Sequence, residues 1–146
     1  MSLELFPVQR EAVERIEKAF SANLHKGFIL ADGCGQGKTA PAIELAKRAP
    51  GAVLFICPAY LLFNWLDEME MWGINRDDIC AIDSGKQIIE IKKFYLVAYS
   101  RIVNPAILKQ LLKRKYSLVV CDEAQYLKAW NSKRSRYVLG NFKNTA

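Results

Sequence analysis

The amino-acid sequence predicts an α/β protein with a mostly parallel sheet and helices on both faces. One observation supports this fold class and a second supports a single domain. Short apolar runs of strand type alternate along the chain with stretches of helical periodicity, which is the pattern of β-α-β units. The chain of 146 residues is 51% hydrophobic, enough for one domain with a sizeable core. No internal repeat, low-complexity linker or composition break divides it, so residues 1–146 are predicted to form a single domain.

The elements follow in chain order. An amphipathic helix begins at Pro7, where proline suits a first turn, and Gly27 lies beyond its end. Four apolar runs predict strands, and a weaker one completes the set: 28–31, 52–57, 94–98, 117–121 and, more weakly, 79–82. Helical stretches lie between them, at about 38–49, 59–72, 104–113 and 132–139. The segment 84–93 fits a strand or a helix equally well.

The charge, the cysteine content and the hydropathy of the chain limit its expected partners and cellular compartment. The net charge of +6 favours an anionic partner such as nucleic acid or a nucleotide, although a basic solvated surface explains it equally well. The cysteines at 34, 57, 80 and 121 form no C-x-x-C pair, which indicates reduced thiols and no zinc site. There is no signal peptide and no apolar run long enough to span a membrane, so a cytoplasmic, nucleoid or nuclear protein is expected rather than a secreted one.

The stretch FILADGCGQGKTA, residues 28–40, predicts a phosphate-binding loop. A buried strand ends there, three glycines let backbone N–H groups converge on an anion, and a helix begins near Lys38. Lys38 would reach the β and γ phosphates and the Thr39 hydroxyl would bind Mg²⁺. A glycine-rich turn without a ligand would leave Gly-Lys-Thr at a helix start unexplained. The predicted loop comprises Asp32, Gly33, Cys34, Gly35, Gln36, Gly37, Lys38 and Thr39, with Asp32 in place of the usual outermost glycine.

A second motif supplies the carboxylates that nucleotide hydrolysis requires. Residues 118–125, LVVCDEAQ, form an apolar strand that ends in Asp122 and Glu123. In a parallel sheet this end lies beside the phosphate loop. Asp122 would hold Mg²⁺, directly or through water, and Glu123 would orient and deprotonate the attacking water. Alone this motif is weak, but together with the loop upstream it predicts a catalytic set of Lys38, Asp122 and Glu123.

With the D-E-A-Q motif in view, nearly the whole chain resembles the first RecA-like lobe of superfamily-two helicases, and most of all the Swi/Snf-type DNA translocases. The family loop reads D-E-x-G-x-G-K-T, which accounts for Asp32, although Gly33 stands where the family has glutamate. Residues 5–9, LFPVQ, resemble the L-x-P-Y-Q element, whose glutamine contacts adenine. The resemblance therefore implies ATP and Mg²⁺ as cofactors, Gln9 as an adenine contact and double-stranded DNA as a partner. Without it, Gln9 would be a polar residue on an exposed helix face.

Two further segments resemble the nucleic-acid loops of that family. Residues 53–68 are similar to V-x-P-x-x-L-x-x-N-W-x-x-E, which implies that Pro58 and the N–H groups after it lie near DNA phosphate. Within it, Trp65 shares helical spacing with apolar neighbours and is expected in the core. Residues 96–100 resemble V-x-T-Y, which makes Tyr99 and Ser100 candidates for phosphate contacts.

The segment after the D-E-A-Q motif is the most specific local match to the Swi/Snf group. Residues 126–136 resemble x-x-K-N-x-x-S-K-x-S, with Ala129 in place of asparagine, and Gln125 stands where that group has histidine. Ser132 is expected to cap a helix. Three basic residues follow, which either add positive charge near the nucleotide or form a solvated helix face: Lys133, Arg134 and Arg136.

The resemblance also implies that the lobe is incomplete. In the family, a strand ending T-G-T-P and a second RecA-like lobe with a γ-phosphate arginine come next, and the missing strand lies between the phosphate-loop strand and the Asp122 strand. We therefore expect a sheet that lacks a central strand, possible self-association through the gap, and negligible ATP turnover by this chain alone. The alternative is a non-catalytic nucleotide- or nucleic-acid-binding module that acts with a partner or as a self-associated fragment.

Overall fold

The structure is a computed structural model that describes residues 3–22, 37–129 and 131–142, so the predicted strand at 28–31 lies outside the described residues. The described helices and strands agree with the predicted alternation. The helices are α1 Pro7–Ser21, α2 Thr39–Arg48, α3 Leu62–Met71, α4 Tyr99–Ile102, α5 Pro105–Leu111 and α6 Lys133–Phe142. The strands are β1 Ala52–Cys57, β2 Ile79–Ile82, β3 Phe94–Ala98 and β4 Tyr116–Cys121. None of the described helices is long and apolar enough to cross a membrane.

The four strands form one parallel sheet in the order β2-β3-β1-β4. In register, Cys57 at the end of β1 lies opposite Ala98 of β3, and Ile56 lies opposite Cys121 of β4. Three strands therefore end at the same edge, and the next residue after each is a predicted site residue: Pro58, Tyr99 and Asp122. Within the described residues β4 pairs with β1 alone. The predicted gap between β4 and the strand at 28–31 involves residues outside the described part of the chain.

Each face of the sheet carries its own layer of helices. Along β1, Val53, Phe55 and Cys57 join a core with α2 and α3, whereas Leu54 and Ile56 join a core with α4, α5 and α6. This division follows from the two-residue repeat of a strand, because a fully apolar strand buries both of its sides only when helices cover both. The α/β class and the RecA-like arrangement predicted from the sequence are confirmed.

The amino-terminal helix and the ambiguous segment complete the fold. α1 packs on α2, with an ion pair of 3.0 Å between Arg48 and Glu17. The segment 84–93, which fitted strand or helix equally, is irregular. The backbone of Ile89 explains this, since its N–H donates to Gln110 Oε1 at 2.8 Å and its carbonyl accepts from Arg114 Nη2 at 2.8 Å. Side chains from the α5 region thus take the place of ladder partners.

Candidate nucleotide and nucleic-acid site

Asp122 makes four described hydrogen bonds at the carboxyl edge of the sheet. Its backbone N–H donates to Ile56 O at 2.9 Å, which continues the ladder between β4 and β1 by one residue. Its carboxylate accepts two hydrogen bonds, from Trp65 Nε1 to Oδ2 at 2.8 Å and from the Glu123 N–H to Oδ1 at 2.9 Å. Its carbonyl accepts from the Tyr99 hydroxyl at 2.8 Å. Both the position and the orientation of the predicted metal ligand are therefore fixed.

Trp65 lies in the core, as its helical spacing predicted. Its side chain is 6% exposed and its ring lies 5.2 Å from the ring of Phe55. The bond from its indole N–H to Asp122 was not predicted. A buried tryptophan N–H usually finds a hydrogen-bond acceptor, so the sequence could have predicted that Trp65 has one. It does not indicate which acceptor lies near the indole.

Glu123 has an unusual backbone conformation. Its φ of 51° and ψ of 53° are left-handed, and it is the one non-glycine residue with positive φ in the described part of the chain. This conformation costs an ordinary residue roughly 1–2 kcal/mol. The turn sends the chain from β4 directly into a 3₁₀ turn at Ala124–Leu127. The half-buried Glu123 carboxylate accepts a hydrogen bond from the Gln125 side chain, so the residue that replaces the family's histidine contacts the predicted base.

Tyr99 faces inward at this edge. Its side chain is 1% exposed, and its ring stacks on that of Tyr126 with the centroids 5.5 Å apart. Burial raises the pKa of Tyr99 far above its usual value, so the hydroxyl remains a donor to Asp122 O. Arg134 lies over both rings, 5.1 Å from the Tyr126 centroid and 5.7 Å from that of Tyr99. Ser100, the other predicted phosphate contact, is by contrast exposed.

The segment after the D-E-A-Q motif is anchored by its two serines. Ser132 Oγ accepts the Ser135 N–H at 3.1 Å, which confirms Ser132 as the cap of α6. Ser135 is 1% exposed and its hydroxyl donates to Leu127 O at 3.1 Å. Ser135 therefore ties α6 to the 3₁₀ turn that follows Glu123 and contains Gln125. Lys133 and Arg136 are exposed on α6.

The loop after β1 combines a buried start with an exposed surface. Pro58 is buried, and its carbonyl accepts the Leu61 N–H at 3.0 Å in a 3₁₀ turn at Ala59–Leu61. Tyr60 and Phe63 expose 70% and 64% of their side chains. Partial desolvation, then Tyr126 and the charges of Glu123 and Asp122, raise the pKa of Tyr60.

At the nucleotide end, Gln9 joins α1 to the last glycine of the phosphate loop. Its Oε1 accepts the Phe6 N–H at 2.9 Å and its Nε2 donates to Gly37 O at 3.0 Å, which explains why this polar side chain is only 9% exposed. Gly37 has a φ of +65°, and a Cβ there would lie 2.6 Å from Gln9 Nε2. Glycine is therefore required at position 37 both by backbone conformation and by the close approach of Gln9.

The predicted loop is only partly described. Asp32, Gly33, Cys34, Gly35 and Gln36 lie outside the described residues. Lys38 immediately precedes α2 and Thr39 is its first residue, as predicted, and both are half-buried. In the described part of the chain, no hydrogen bond or ion pair joins Lys38 or Thr39 to Asp122 or Glu123.

The chemistry of the donor set at Asp122 fits Mg²⁺. This ion prefers oxygen ligands and is usually held by one or two carboxylates together with water and substrate phosphates. Each carboxylate oxygen of Asp122 accepts one hydrogen bond from the described residues, and a carboxylate oxygen has about two lone-pair positions, so one position on each oxygen has no partner among them. The Thr39 hydroxyl at the start of α2 is a second oxygen ligand of the type that Mg²⁺ takes.

Comparison with known proteins gives a consistent result. Residues 2–145 match the protein family described as "Type III restriction enzyme, res subunit". The chain is 31% identical over 176 residues to a DNA repair and recombination protein RAD54-like of Danio rerio, a match that covers 99% of this chain and 23% of that protein. It is 33% identical over 146 residues to an uncharacterized ATP-dependent helicase of Mycoplasma genitalium, a match that covers 92% of this chain and 14% of that protein.

A solved structure extends the comparison to the fold. The SWI2/SNF2 ATPase core of Sulfolobus solfataricus, determined in complex with dsDNA, superposes with a TM-score of 0.78 at 25% sequence identity. The match covers 94% of this chain and 30% of that one. This chain therefore spans less than a third of each of these proteins.

Proposed function

We propose that this chain is the ATP-binding half of a DNA-dependent ATPase that moves along duplex DNA, because it belongs to the family described as "Type III restriction enzyme, res subunit". Within the helicase superfamily it belongs to the Swi/Snf-type branch. One observation supports this proposal best. The acidic pair Asp122-Glu123 and the loops at Pro58 and Tyr99 follow three adjacent strand ends, so a metal-binding carboxylate and two candidate nucleic-acid loops share one edge of the sheet.

In the proposed site, ATP and Mg²⁺ bind between the start of α2 and the end of β4. The backbone N–H groups of the glycine-rich loop from Asp32 to Gly37 would bind the phosphates, Lys38 would neutralise them, and Thr39 and Asp122 would hold Mg²⁺. Mg²⁺ supplies charge neutralisation at the phosphates when bound. Glu123 would orient the attacking water and take its proton, and the Gln125 side chain, which donates to the Glu123 carboxylate, lies beside this step.

Gln9 can recognise adenine while it holds the loop. Its amide oxygen and its amide nitrogen each make one described hydrogen bond to backbone, which leaves a lone pair and an N–H available. A side-chain amide with one free acceptor and one free donor matches the N6 and N7 edge of adenine. Adenine bound in this way would be tied to Gly37 through a single side chain.

The DNA surface is proposed on the loops beside the acidic pair. Ser100 and the N–H groups after Pro58 contact backbone phosphate directly, and the net charge of +6 supports binding to an anion. The Tyr99 hydroxyl would reach phosphate only by giving up its hydrogen bond to Asp122 O. We therefore propose that Tyr99 does not contact DNA and instead holds the backbone next to Ser100 in place. A protein with this partner would reside with DNA, in a cytoplasmic nucleoid or a nucleus.

Two partners of the lobe are also proposed. A second RecA-like lobe supplies the arginine that stabilises the transferring phosphoryl group. Absence of such an arginine costs on the order of 10³–10⁵ in rate, so this chain alone turns over ATP negligibly.

The outer edge of β4 pairs with a further strand, from the rest of the sheet or from a second copy of the chain. A clean monomer in sedimentation at micromolar concentration would argue against pairing between copies.

The test of the proposed function is nucleotide binding measured by isothermal titration calorimetry. We expect ATP with Mg²⁺ to bind the wild-type chain, Lys38→Ala to reduce the affinity by at least roughly tenfold, and Lys109→Ala, an exposed lysine on α5, to leave it unchanged. Absence of binding by the wild type, or equal binding by Lys38→Ala, would overturn the proposal. Duplex binding that no nucleotide affects would favour the non-catalytic binding module instead.

A further inference from the structure

We propose that Trp65 is a positioning residue whose indole N–H sets the orientation of the Asp122 carboxylate and thereby the Mg²⁺ dependence of nucleotide binding. This inference rests on the proposed function, since Asp122 matters here as the metal ligand. It assigns a role to a residue that the sequence placed only in the core.

The carboxylate of Asp122 is held by two donors. Trp65 Nε1 donates to Oδ2 at 2.8 Å, and the Glu123 N–H donates to Oδ1 at 2.9 Å. Two donors on different elements, α3 and the end of β4, bind different oxygens of one carboxylate. Rotation of that carboxylate about its terminal bond would break both hydrogen bonds, so the free lone pairs point in fixed directions.

The donor Trp65 is held rigidly by its packing. Trp65 is 6% exposed and packs in the same core as Phe55, Leu62 and Met69. An indole has a single N–H donor and no acceptor, so it has no alternative bond to make in that position. A loosely held donor would follow the carboxylate, whereas a packed one directs it. Removing the N–H leaves Oδ2 with one donor fewer and frees the carboxylate to rotate.

The test compares Trp65→Phe, which keeps an aromatic ring and removes the N–H, with Trp72→Phe at the carboxyl end of α3 as the matched control. Calorimetry is carried out with ATP in Mg²⁺ and with ATP in excess EDTA. We expect Trp65→Phe to weaken binding in Mg²⁺ by about tenfold, as loss of an outer-shell partner of a metal ligand does, with binding in EDTA unchanged. Trp72→Phe should match the wild type in both conditions.

A purely structural role for Trp65 predicts a different pattern, in which both affinities fall together or neither changes. Either of these results would overturn the inference while leaving the proposed function in place. Failure of the wild type to bind nucleotide would overturn both. The variant Asp122→Asn completes the test, because addition of Trp65→Phe to it should cause no further loss in Mg²⁺ if Trp65 acts through Asp122.

A spectroscopic readout keeps the test independent of small affinity changes. The chain has tryptophans at 65, 72 and 130, so Trp72→Phe combined with Trp130→Phe leaves Trp65 as the sole indole emitter. Titration of this variant with ATP in Mg²⁺ should change the emission of Trp65, and titration in EDTA should not. Identical responses in the two conditions would contradict the proposed link between Trp65 and the metal ligand.

Discussion

On the α2–α3 face of the sheet, the indole of Trp65 holds the side chain of Asp122, whereas on the α4–α6 face the hydroxyl of Tyr99 holds its main-chain carbonyl. The two bonds have the same length of 2.8 Å and both donors are buried. They act on different parts of one residue. One face of the sheet therefore orients the carboxylate, and the other fixes the strand end that carries it.

This division makes the two faces separable by mutation. Loss of the Trp65 donor should alter metal-dependent nucleotide binding at nearly constant backbone position, while loss of the Tyr99 donor should loosen the end of β4 itself. If a single substitution at Trp65 or Tyr99 changed both the metal-dependent nucleotide binding and the stability of the β4 end, the two faces would not be independent.

The largest expected effect is that of Trp65→Ala. This change leaves a cavity against Phe55 and removes the donor to Asp122, and large aromatic-to-alanine changes in cores cost roughly 3–5 kcal/mol of unfolding free energy. Urea unfolding followed by circular dichroism measures it. Phe63→Ala, two residues earlier and 64% exposed, should change stability by less than about 0.5 kcal/mol. Equal losses for the two variants would contradict the assignment of Trp65 to the core.

Alkaline pH should destabilise both faces, through one thiol on each. Burial, then the charge of Asp122, raises the pKa of Cys57 to about 12, and burial raises the pKa of Cys121 to about 11. Because each folded pKa lies above the ordinary value of 9.0, the folded state retains protons that the unfolded chain releases. The free energy of unfolding therefore keeps its full value below pH 9 and falls as pH rises above it.

The loss should reach about 1.4 kcal/mol per thiol at pH 10. Urea unfolding at pH 8 and pH 10 measures it, and Cys57→Ala should reduce the difference between the two pH values by that amount. Cys121→Ala should do the same, since both folded pKa values lie above 10. A stability that does not change between pH 8 and pH 10 would show that neither thiol is as buried as described.

The strands were predictable because each is a short apolar run that ends at a polar residue or a proline. The predicted bounds of β1, β2 and β3 agree with the structure, and β4 begins one residue earlier, at Tyr116. The Tyr116 ring explains the extension, since it packs edge-on against Tyr95 at 5.7 Å and against Phe142 at 5.9 Å. The four-residue helix α4 was not predicted, because it is too short to show helical periodicity.

The candidate site was predictable in its residues but not in its bonds. The motifs at Asp122 and Thr39 can be read from residue types and spacing, and their places at a strand end and a helix start are confirmed. The bond from Trp65 to Asp122 joins residues 57 positions apart, and only the packing of α3 on the sheet brings them together. The left-handed backbone at Glu123 likewise has no local signal, since glutamate is rarely found in that conformation.

Tyr99→Phe should cause a smaller loss than Trp65→Ala and should separate the two faces. The ring remains stacked on Tyr126, but Asp122 O loses a partly buried hydrogen bond, which costs roughly 1–2 kcal/mol of unfolding free energy. The affinity for ATP should keep its Mg²⁺ dependence. Urea unfolding and calorimetry measure the two quantities, with Tyr126→Phe as the control on the more exposed ring. Loss of Mg²⁺ dependence in Tyr99→Phe would show that the strand end and the carboxylate orientation are coupled.

The smallest effect concerns Glu123, which lies between the two faces. A glycine there relieves the left-handed strain, roughly 1–2 kcal/mol. Part of this gain is offset because glycine has greater conformational freedom in the unfolded chain. Glu123→Gly is therefore expected to be about 0.5–1 kcal/mol more stable than Glu123→Gln in urea unfolding. The glutamine variant removes the same charge but keeps a side chain and its strain, so the difference isolates the backbone. If the two variants unfold alike, the left-handed conformation is not costly, and the turn into Ala124–Leu127 must compensate for it.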